Sequence, residues 1–141
     1  MGAGIGQKMA QEGIEVTLLD INEENLQKGL NGVKEMLDDG VEHNVFTRKQ
    51  AEATFDRIHG TTSYDDLIDM DLVIEAVYED KSLKGDIFSK LDEICEPKTI
   101  LASNTSGLSI TELAENVDRK DKFIGMHYFF HPAKNRLLEI I

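Results

Sequence analysis

Residues 1–20 read MGAGIGQKMAQEGIEVTLLD, and this stretch decides the fold. Four small residues recur in it at about one-turn spacing: Gly2, Gly6, Ala10 and Gly13. This spacing predicts a helix that packs closely on a sheet. The apolar run 14–19 that follows predicts a buried strand, and it ends at Asp20. A small-residue helix, a strand and a terminal acid are typical of the second half of a dinucleotide-binding unit.

The spacing of Gly2 and Asp20 indicates which part of a dinucleotide-binding unit residues 1–20 form. A complete unit has a glycine-rich turn at a helix N-terminus and, about twenty residues later, an acid that accepts hydrogen bonds from the ribose. Asp20 follows Gly2 by eighteen residues, so Gly2 fits the last glycine of G-x-G-x-x-G. We therefore expect the other two glycines and the first strand upstream of Met1. The internal run 2–6, G-A-G-I-G, is a weaker alternative because no strand precedes it, and small residues also suit plain helix packing.

Composition excludes several classes of protein. The 141 residues suffice for one domain, 1–141, and the formal charge of −12 argues against non-specific contact with nucleic acid or an anionic membrane. No apolar run approaches the length of a membrane span, and no signal-peptide pattern precedes the first helix. Cys95 is the only cysteine, so we expect a buried, inert thiol, no metal or redox motif and a reducing, cytoplasmic location.

The rest of the chain alternates between helical and strand patterns. Asn22 is a candidate N-cap for an amphipathic helix to about residue 38, where Asp38-Asp39-Gly40 predicts a stop. Thr47 and Gln50 predict a capping box for a shorter helix. Two more helices are predicted, one over residues 83–94 and one that begins with a capping box at Ser109 and Glu112 and reaches Val117. Strands are predicted over residues 71–77, 99–103, 123–127 and 136–141, with a weaker one over 57–63.

This alternation predicts an α/β fold with a doubly wound, Rossmann-type, mostly parallel sheet. Its polar residues gather where strands end: Glu79 after one strand, residues 103–106 after the next, and His127 with Glu139 after the last. The chain stops in the apolar run 137–141, which favours a domain that continues beyond it.

His127 is the strand-end residue that can move a proton near neutral pH. Oxidation of an alcohol needs a base for the hydroxyl proton while hydride leaves the carbon. A carboxylate such as Glu139 can hold the second ring nitrogen of that base. The alternative from pattern alone is a histidine whose hydrogen bonds are satisfied at a strand end, without a catalytic role.

Several segments together resemble the L-3-hydroxyacyl-CoA dehydrogenases of fatty-acid β-oxidation. They are A-S-N-T-S at 102–106, G-M-H at 125–127, L-L-E at 137–139, M-G-A-G-I at 1–5 and V-I-E-A-V-Y-E at 73–79. Their order and spacing agree with that family over essentially the whole chain.

The resemblance implies a role for each matching residue. His127 corresponds to the catalytic base, Glu139 to its carboxylate partner and Ser106 to the serine that bonds the substrate oxygen near the nicotinamide. NAD is the implied cofactor, without a metal. The positions that match its contacts are Gly2, Asp20, Glu79, Lys84 and Ser106. Asp20 favours NAD over its 2′-phosphorylated form, because that phosphate would meet a negative charge.

Two positions depart from the family's pattern. Gly107 stands where a second serine usually follows, and the asparagine of H-F-F-N-P has become Phe130 or His131. A donor role for His131 and a solvated loop histidine both remain open. We assign no coenzyme A contacts.

The family also has a C-terminal helical domain that supplies most of its dimer contact. We expect these residues to be a fragment that lacks this domain and the first strand, from a parent that is a homodimer acting on acyl-CoA. A fused enoyl-CoA hydratase is left open. The alternatives in function are a sugar-acid 3-dehydrogenase of the L-gulonate type and a catalytically silent nucleotide-binding fragment.

Overall fold

The computed structural model describes all of residues 1–141. The chain divides into two compact units, one of Met1–Ser63 with His131–Lys134 and one of Tyr64–Phe130 with Asn135–Ile141. The strands also fall into two sheets, one of two strands and one of four. Every pairing but the last is parallel, which confirms the mostly parallel α/β class.

The first unit contains three helices and two strands: α1 (Gly2–Gln11), β1 (Val16–Leu19), α2 (Glu23–Glu42), α3 (Arg48–Asp56) and β2 (Ile58–Thr61). β1 and β2 are parallel, with Val16 opposite Ile58 and Leu19 opposite Thr61. The weaker strand predicted over 57–63 is therefore confirmed. A buried apolar cluster joins the helices to the strands: Ala10, Val33, Leu37, Ala51 and Ile58.

Helix α2 begins where the sequence predicts, because the Asn22 side chain accepts a hydrogen bond from a backbone N–H of the first turn at 2.8 Å. The predicted stop near residue 38 is wrong, since the helix continues to residue 42. Gly40 is buried inside it, where a Cβ would overlap the ring of Phe46. This glycine permits close packing, and the chain turns away only after it, at Asn44 with φ 57°.

Helix α3 has the capping box that its sequence predicts. The Thr47 hydroxyl accepts from the Gln50 N–H at 3.1 Å, and the Gln50 side chain accepts from the Thr47 N–H at 2.9 Å. The two bonds satisfy backbone donors that have no partner within the helix.

The second unit contains the larger sheet and the remaining helices: β3 (Leu72–Glu75), α4 (Lys81–Ile94), β4 (Ile100–Ser103), α5 (Ile110–Leu113), β5 (Phe123–Tyr128) and β6 (Leu138–Ile140). Short 3-10 segments cover Tyr64–Leu67, Ala114–Asn116 and Lys120–Lys122. The strand order is β3-β4-β5-β6, with β6 antiparallel to β5. The apolar core of the second unit includes Phe88, whose ring packs edge-on against that of Phe123 with the ring centroids 4.6 Å apart.

Two predictions in this unit are wrong. β3 ends at Glu75 and not at residue 77, because the Glu75 side chain accepts the Val77 N–H at 2.6 Å and the backbone leaves the ladder there. The predicted helix from Ser109 to Val117 has only four α-helical residues. A 3-10 turn follows them, in which Asn116 donates its side-chain amide to the Leu113 carbonyl at 3.0 Å.

Cys95 is buried, as predicted, and its thiol donates to the Leu67 carbonyl at 3.4 Å. Burial raises the pKa of this thiol, and the nearby charge of Arg119 opposes the rise. No helix of the chain is both long enough and apolar enough to cross a lipid bilayer.

Candidate active site

His127 and Glu139 lie opposite each other on the antiparallel strands β5 and β6. The His127 Nδ1 is 2.8 Å from a Glu139 carboxylate oxygen. Because an ionised carboxylate only accepts hydrogen bonds, Nδ1 carries a proton, and in the neutral ring the lone pair is therefore on Nε2. The imidazole therefore presents a proton acceptor, held in one tautomer and one orientation.

Backbone pairing and packing hold this histidine in place. Gly125 exchanges two backbone hydrogen bonds with Ile141, at 2.9 and 3.0 Å, which extends the contact between β5 and the end of the chain. A Cβ at Gly125 would lie 2.9 Å from Ile110 and from Ile141, so only glycine fits there. The Phe129 ring packs on the imidazole with centroids 4.5 Å apart. The His127 side chain is only 18 % exposed, against 53 % for Glu139.

The turn after β4 is tied to the ends of both neighbouring strands. The Asn104 N–H donates to the Glu75 carbonyl at 2.8 Å, and its side-chain oxygen accepts the Tyr128 N–H at 2.7 Å. The Thr105 hydroxyl donates to the Glu79 carboxylate and accepts the Leu108 N–H at 3.0 Å. Ser106 follows directly and is exposed.

A buried ionic cluster lies beneath these turns. The Lys84 ammonium is 2.7 Å from Glu75 Oε1, and each side chain is 1 % exposed. The other carboxylate oxygen of Glu75 accepts from the Ser103 hydroxyl at 2.7 Å. No buried side-chain nitrogen or oxygen of the chain lacks a hydrogen-bond partner. Lys84 is therefore held inside the unit, and its ammonium is occupied by Glu75.

In the first unit, Gly2 is the first residue of α1, and Asp20 directly follows β1. The first turn of α1 contains no acidic residue, so nothing in it opposes an anion at the helix N-terminus. Asp20 is half-buried, its N–H donates to the Thr61 carbonyl at 3.2 Å, and one carboxylate oxygen accepts the Ile21 N–H at 2.7 Å. The second oxygen suits a ribose hydroxyl.

The loop that holds His131 packs on α1. A Cβ at Gly4 would lie 2.7 Å from Pro132 and 3.1 Å from the His131 ring. The His131 Nδ1 accepts from the Ala133 N–H at 3.2 Å. Burial lowers the pKa of His131, and the positive charges of Lys134 and the N-terminal amine lower it further. This histidine is half-buried and not a freely solvated loop residue.

The second unit thus brings together His127 with Glu139 and, separately, Glu79 with Thr105. Sequence reasoning quoted the following residues within its motifs but gave none of them a positioning role: Glu75, Ser103, Asn104 and Thr105. A signal for Glu75 was present, since an acid within the otherwise apolar strand 72–75 needs a buried partner. Its partner Lys84 was noticed only as a cofactor contact.

Comparison with known proteins gives a consistent picture. The family model described as "3-hydroxyacyl-CoA dehydrogenase, NAD binding domain" matches residues 1–141. A 3-hydroxybutyryl-CoA dehydrogenase of Clostridioides difficile is 43 % identical over 145 residues, which cover 100 % of this chain and 50 % of that protein. The peroxisomal fatty acid beta-oxidation multifunctional protein AIM1 of Arabidopsis thaliana is 36 % identical, with 100 % of this chain and 20 % of that protein covered.

Solved structures agree with these relatives. The (S)-3-hydroxybutyryl-CoA dehydrogenase PaaH1 of Ralstonia eutropha superposes with a TM-score of 0.95 at 42 % identity, over 99 % of this chain and 50 % of that one. The malate dehydrogenase of Plasmodium falciparum, with a TM-score of 0.62 and 16 % identity over 88 % of this chain and 39 % of that one, shares the fold. The chain spans about half the length of the curated 3-hydroxybutyryl-CoA dehydrogenases that it matches.

Proposed function

We propose that this chain, which belongs to the family of 3-hydroxyacyl-CoA dehydrogenase NAD-binding domains, carries the proton-transfer groups of an enzyme that oxidises L-3-hydroxyacyl-CoA to 3-ketoacyl-CoA in fatty-acid β-oxidation. The observation that supports this most directly is the His127–Glu139 pair at the end of β5. It is a base of fixed tautomer, the group that oxidation of a secondary alcohol requires.

NAD is the cofactor of the family, and the donor set of this chain fits it. We assign the Asp20 carboxylate to the ribose hydroxyls and Gly2 to the approach of the pyrophosphate to α1. A 2′-phosphate would be repelled by Asp20, so the site favours NAD. When bound, NAD accepts the hydride from C3 of the substrate. In the second unit we assign Glu79 as a further cofactor contact.

The proton takes a separate route through this chain's own residues. His127 Nε2 removes the hydroxyl proton, and Glu139 stabilises the imidazolium that forms. We assign the Ser106 hydroxyl as a hydrogen-bond donor to the substrate oxygen, which orients it toward His127. Lys84 lies in the buried cluster, so we assign it an effect on the cofactor that acts through Glu75 and the turn above it.

The location and partners follow from this assignment. We place the protein in the cytoplasm, in line with its one buried cysteine and acidic surface. An acyl-CoA is the proposed small-molecule partner, and a second copy of the protein is the proposed subunit partner.

The test is NADH formation from L-3-hydroxybutyryl-CoA by the full product of the reading frame that encodes these residues. His127→Gln should lower kcat by about 10²- to 10⁴-fold, the usual contribution of a general base, without changing NADH affinity. His59→Gln is the matched control, because His59 also contacts a glutamate, Glu15 at 3.1 Å, but is 63 % exposed. An unchanged rate with His127→Gln would overturn the assignment, and turnover of a sugar acid alone would redirect it to that substrate class.

A further inference from the structure

We propose that the buried carboxylate of Glu75 is a positioning residue that sets the geometry of the turns after β3 and β4, and through them the placement of Glu79 and Ser106. The inference rests on the proposed function, since it takes Glu79 as a cofactor contact and Ser106 as a substrate contact. Glu75 itself is too deeply buried to touch either ligand, because its side chain is 1 % exposed.

Each hydrogen bond of this carboxylate reaches a different element of the second unit. Oε1 accepts the Val77 N–H at 2.6 Å, in the segment after β3, and the Lys84 ammonium of α4 at 2.7 Å. Oε2 accepts the Ser103 hydroxyl at 2.7 Å, at the last residue of β4. One side chain thus fixes the spacing between the ends of two parallel strands and the helix that follows the first of them.

The bonds continue from Ser103 into the turn that carries Ser106. The Ser103 oxygen also accepts the Thr105 N–H at 3.3 Å. The Thr105 hydroxyl then donates to Glu79, four residues after Glu75. The path therefore closes on itself, and Glu79 cannot move relative to Thr105, the residue directly before Ser106, without breaking one of its links.

Stability alone does not account for the two charges of this cluster. Replacing a buried ion pair by apolar side chains of similar volume is often neutral or stabilising, because two charges no longer have to leave water. Such a replacement would fill the space of Glu75 and Lys84, but it would leave the Val77 N–H and the Ser103 hydroxyl without an acceptor. What the carboxylate supplies is therefore orientation of the two turns.

Two double variants separate orientation from packing. Glu75→Gln/Lys84→Met and Glu75→Leu/Lys84→Met both remove the buried charges, but only the glutamine can still bond the Val77 N–H and Ser103. In the full-length protein, NADH affinity is measured by fluorescence titration, together with kcat, KM and the melting temperature. We expect the leucine variant to bind NADH about tenfold more weakly than the glutamine variant, the equivalent of one lost hydrogen bond between neutral groups. Its kcat should be lower by about 10²-fold.

Ser103→Ala tests the same path with a smaller change. It removes the bonds of the Ser103 hydroxyl to Glu75 and to the Thr105 N–H and leaves the Glu75–Lys84 pair intact, so we expect the variant to fold. Its NADH affinity and kcat should shift in the same direction as in the leucine variant. Arg119→Met is the matched control for general destabilisation, since it breaks a buried ion pair with Asp92 elsewhere in the unit. It should lower the melting temperature and leave NADH affinity unchanged.

Equal NADH affinity in the two double variants, with wild-type affinity in Ser103→Ala, would overturn the inference and reduce Glu75 to a packing residue. Failure of the proposed function has a different signature. A wild-type protein that binds NADH but does not oxidise L-3-hydroxybutyryl-CoA would end the substrate assignment, and the comparison of NADH affinities would still decide the role of Glu75.

Discussion

Arg119 is the side chain whose removal should destabilise the second unit most clearly. Its guanidinium donates to the Asp92 carboxylate and to four backbone carbonyls at and after the end of α4: those of Asp92 at 2.8 Å, Cys95 at 3.0 Å, Glu96 at 2.6 Å and Thr99 at 3.3 Å. Carbonyls in the last turn of a helix have no partner within the helix. Arg119 is 11 % exposed and Asp92 14 % exposed, so the pair is largely shielded from water.

The structure sets the magnitude for Arg119→Met. Removing one member of a buried ion pair costs about 3–5 kcal/mol, because the other charge stays buried. The lower end applies here, since Asp92 still accepts the Asp118 N–H at 2.6 Å. A loss of about 3 kcal/mol corresponds to a melting temperature lower by about 10 °C in a chain of this size.

Urea and thermal unfolding measure this loss, and hydrogen exchange of the last α4 amides locates it. Lys81→Met is the control, because the Lys81–Glu112 pair is 57 % and 61 % exposed and should contribute less than about 1 kcal/mol. If both variants unfold at the same urea concentration, or if exchange accelerates equally throughout the unit, Arg119 does not act as a helix-end anchor.

Three further predictions concern turns and helices. Asn104→Ala removes the acceptor of the Tyr128 N–H and should lower kcat while NADH affinity stays within about twofold, whereas Asn104→Asp, which keeps an acceptor oxygen, should retain more activity. Gly32→Ala, where an added Cβ meets nothing within 4 Å, should raise the free energy of unfolding by up to about 1 kcal/mol in urea titrations. Because burial and the charge of Lys134 lower the folded-state pKa of His131, stability should fall as pH drops below about 6.5 and level off below the folded pKa; His131→Gln should flatten that part of the profile.

The features of the fold that the sequence predicted correctly depend on neighbours along the chain. The cap at Asn22 and the capping box at Thr47 and Gln50 each involve residues three apart, so their pattern contains all the information needed. The predictions that were wrong concern the ends of elements, which depend on contacts with other residues and on side-chain burial that a local sequence pattern does not encode. Gly40 was taken as a helix stop because its contact with Phe46 is not visible in a local pattern. The predicted β3 was too long because the pattern does not show the bond from the Val77 N–H to the Glu75 side chain.

The residues of the candidate site likewise fall into those that the sequence predicted and those that it did not. The twelve-residue spacing of His127 and Glu139 was visible in the sequence, and the structure places the two side chains in contact. Glu75, Ser103 and Asn104 received no positioning role, because each bonds a residue more than twenty positions away in the sequence; Glu75 also bonds the nearer Lys84. Positioning residues have no chemistry that marks them in a sequence; a buried polar side chain becomes informative only when its partners are known.

The His127–Glu139 pair shows how a weak contact can still organise a site. Glu139 is 53 % exposed, and an ion pair with so much access to water contributes at most about 1 kcal/mol to stability. The contact therefore cannot be what holds β6 against β5. Instead, the backbone sets the register of the two strands. Leu138–Ile140 pair with β5, and the bonds between Gly125 and Ile141 extend this pairing. The register then places the Glu139 carboxylate opposite the His127 imidazole. In the proposed mechanism, the contribution of this contact is the tautomer it imposes on His127, which would act on the rate of proton transfer and leave the stability of the sheet almost unchanged.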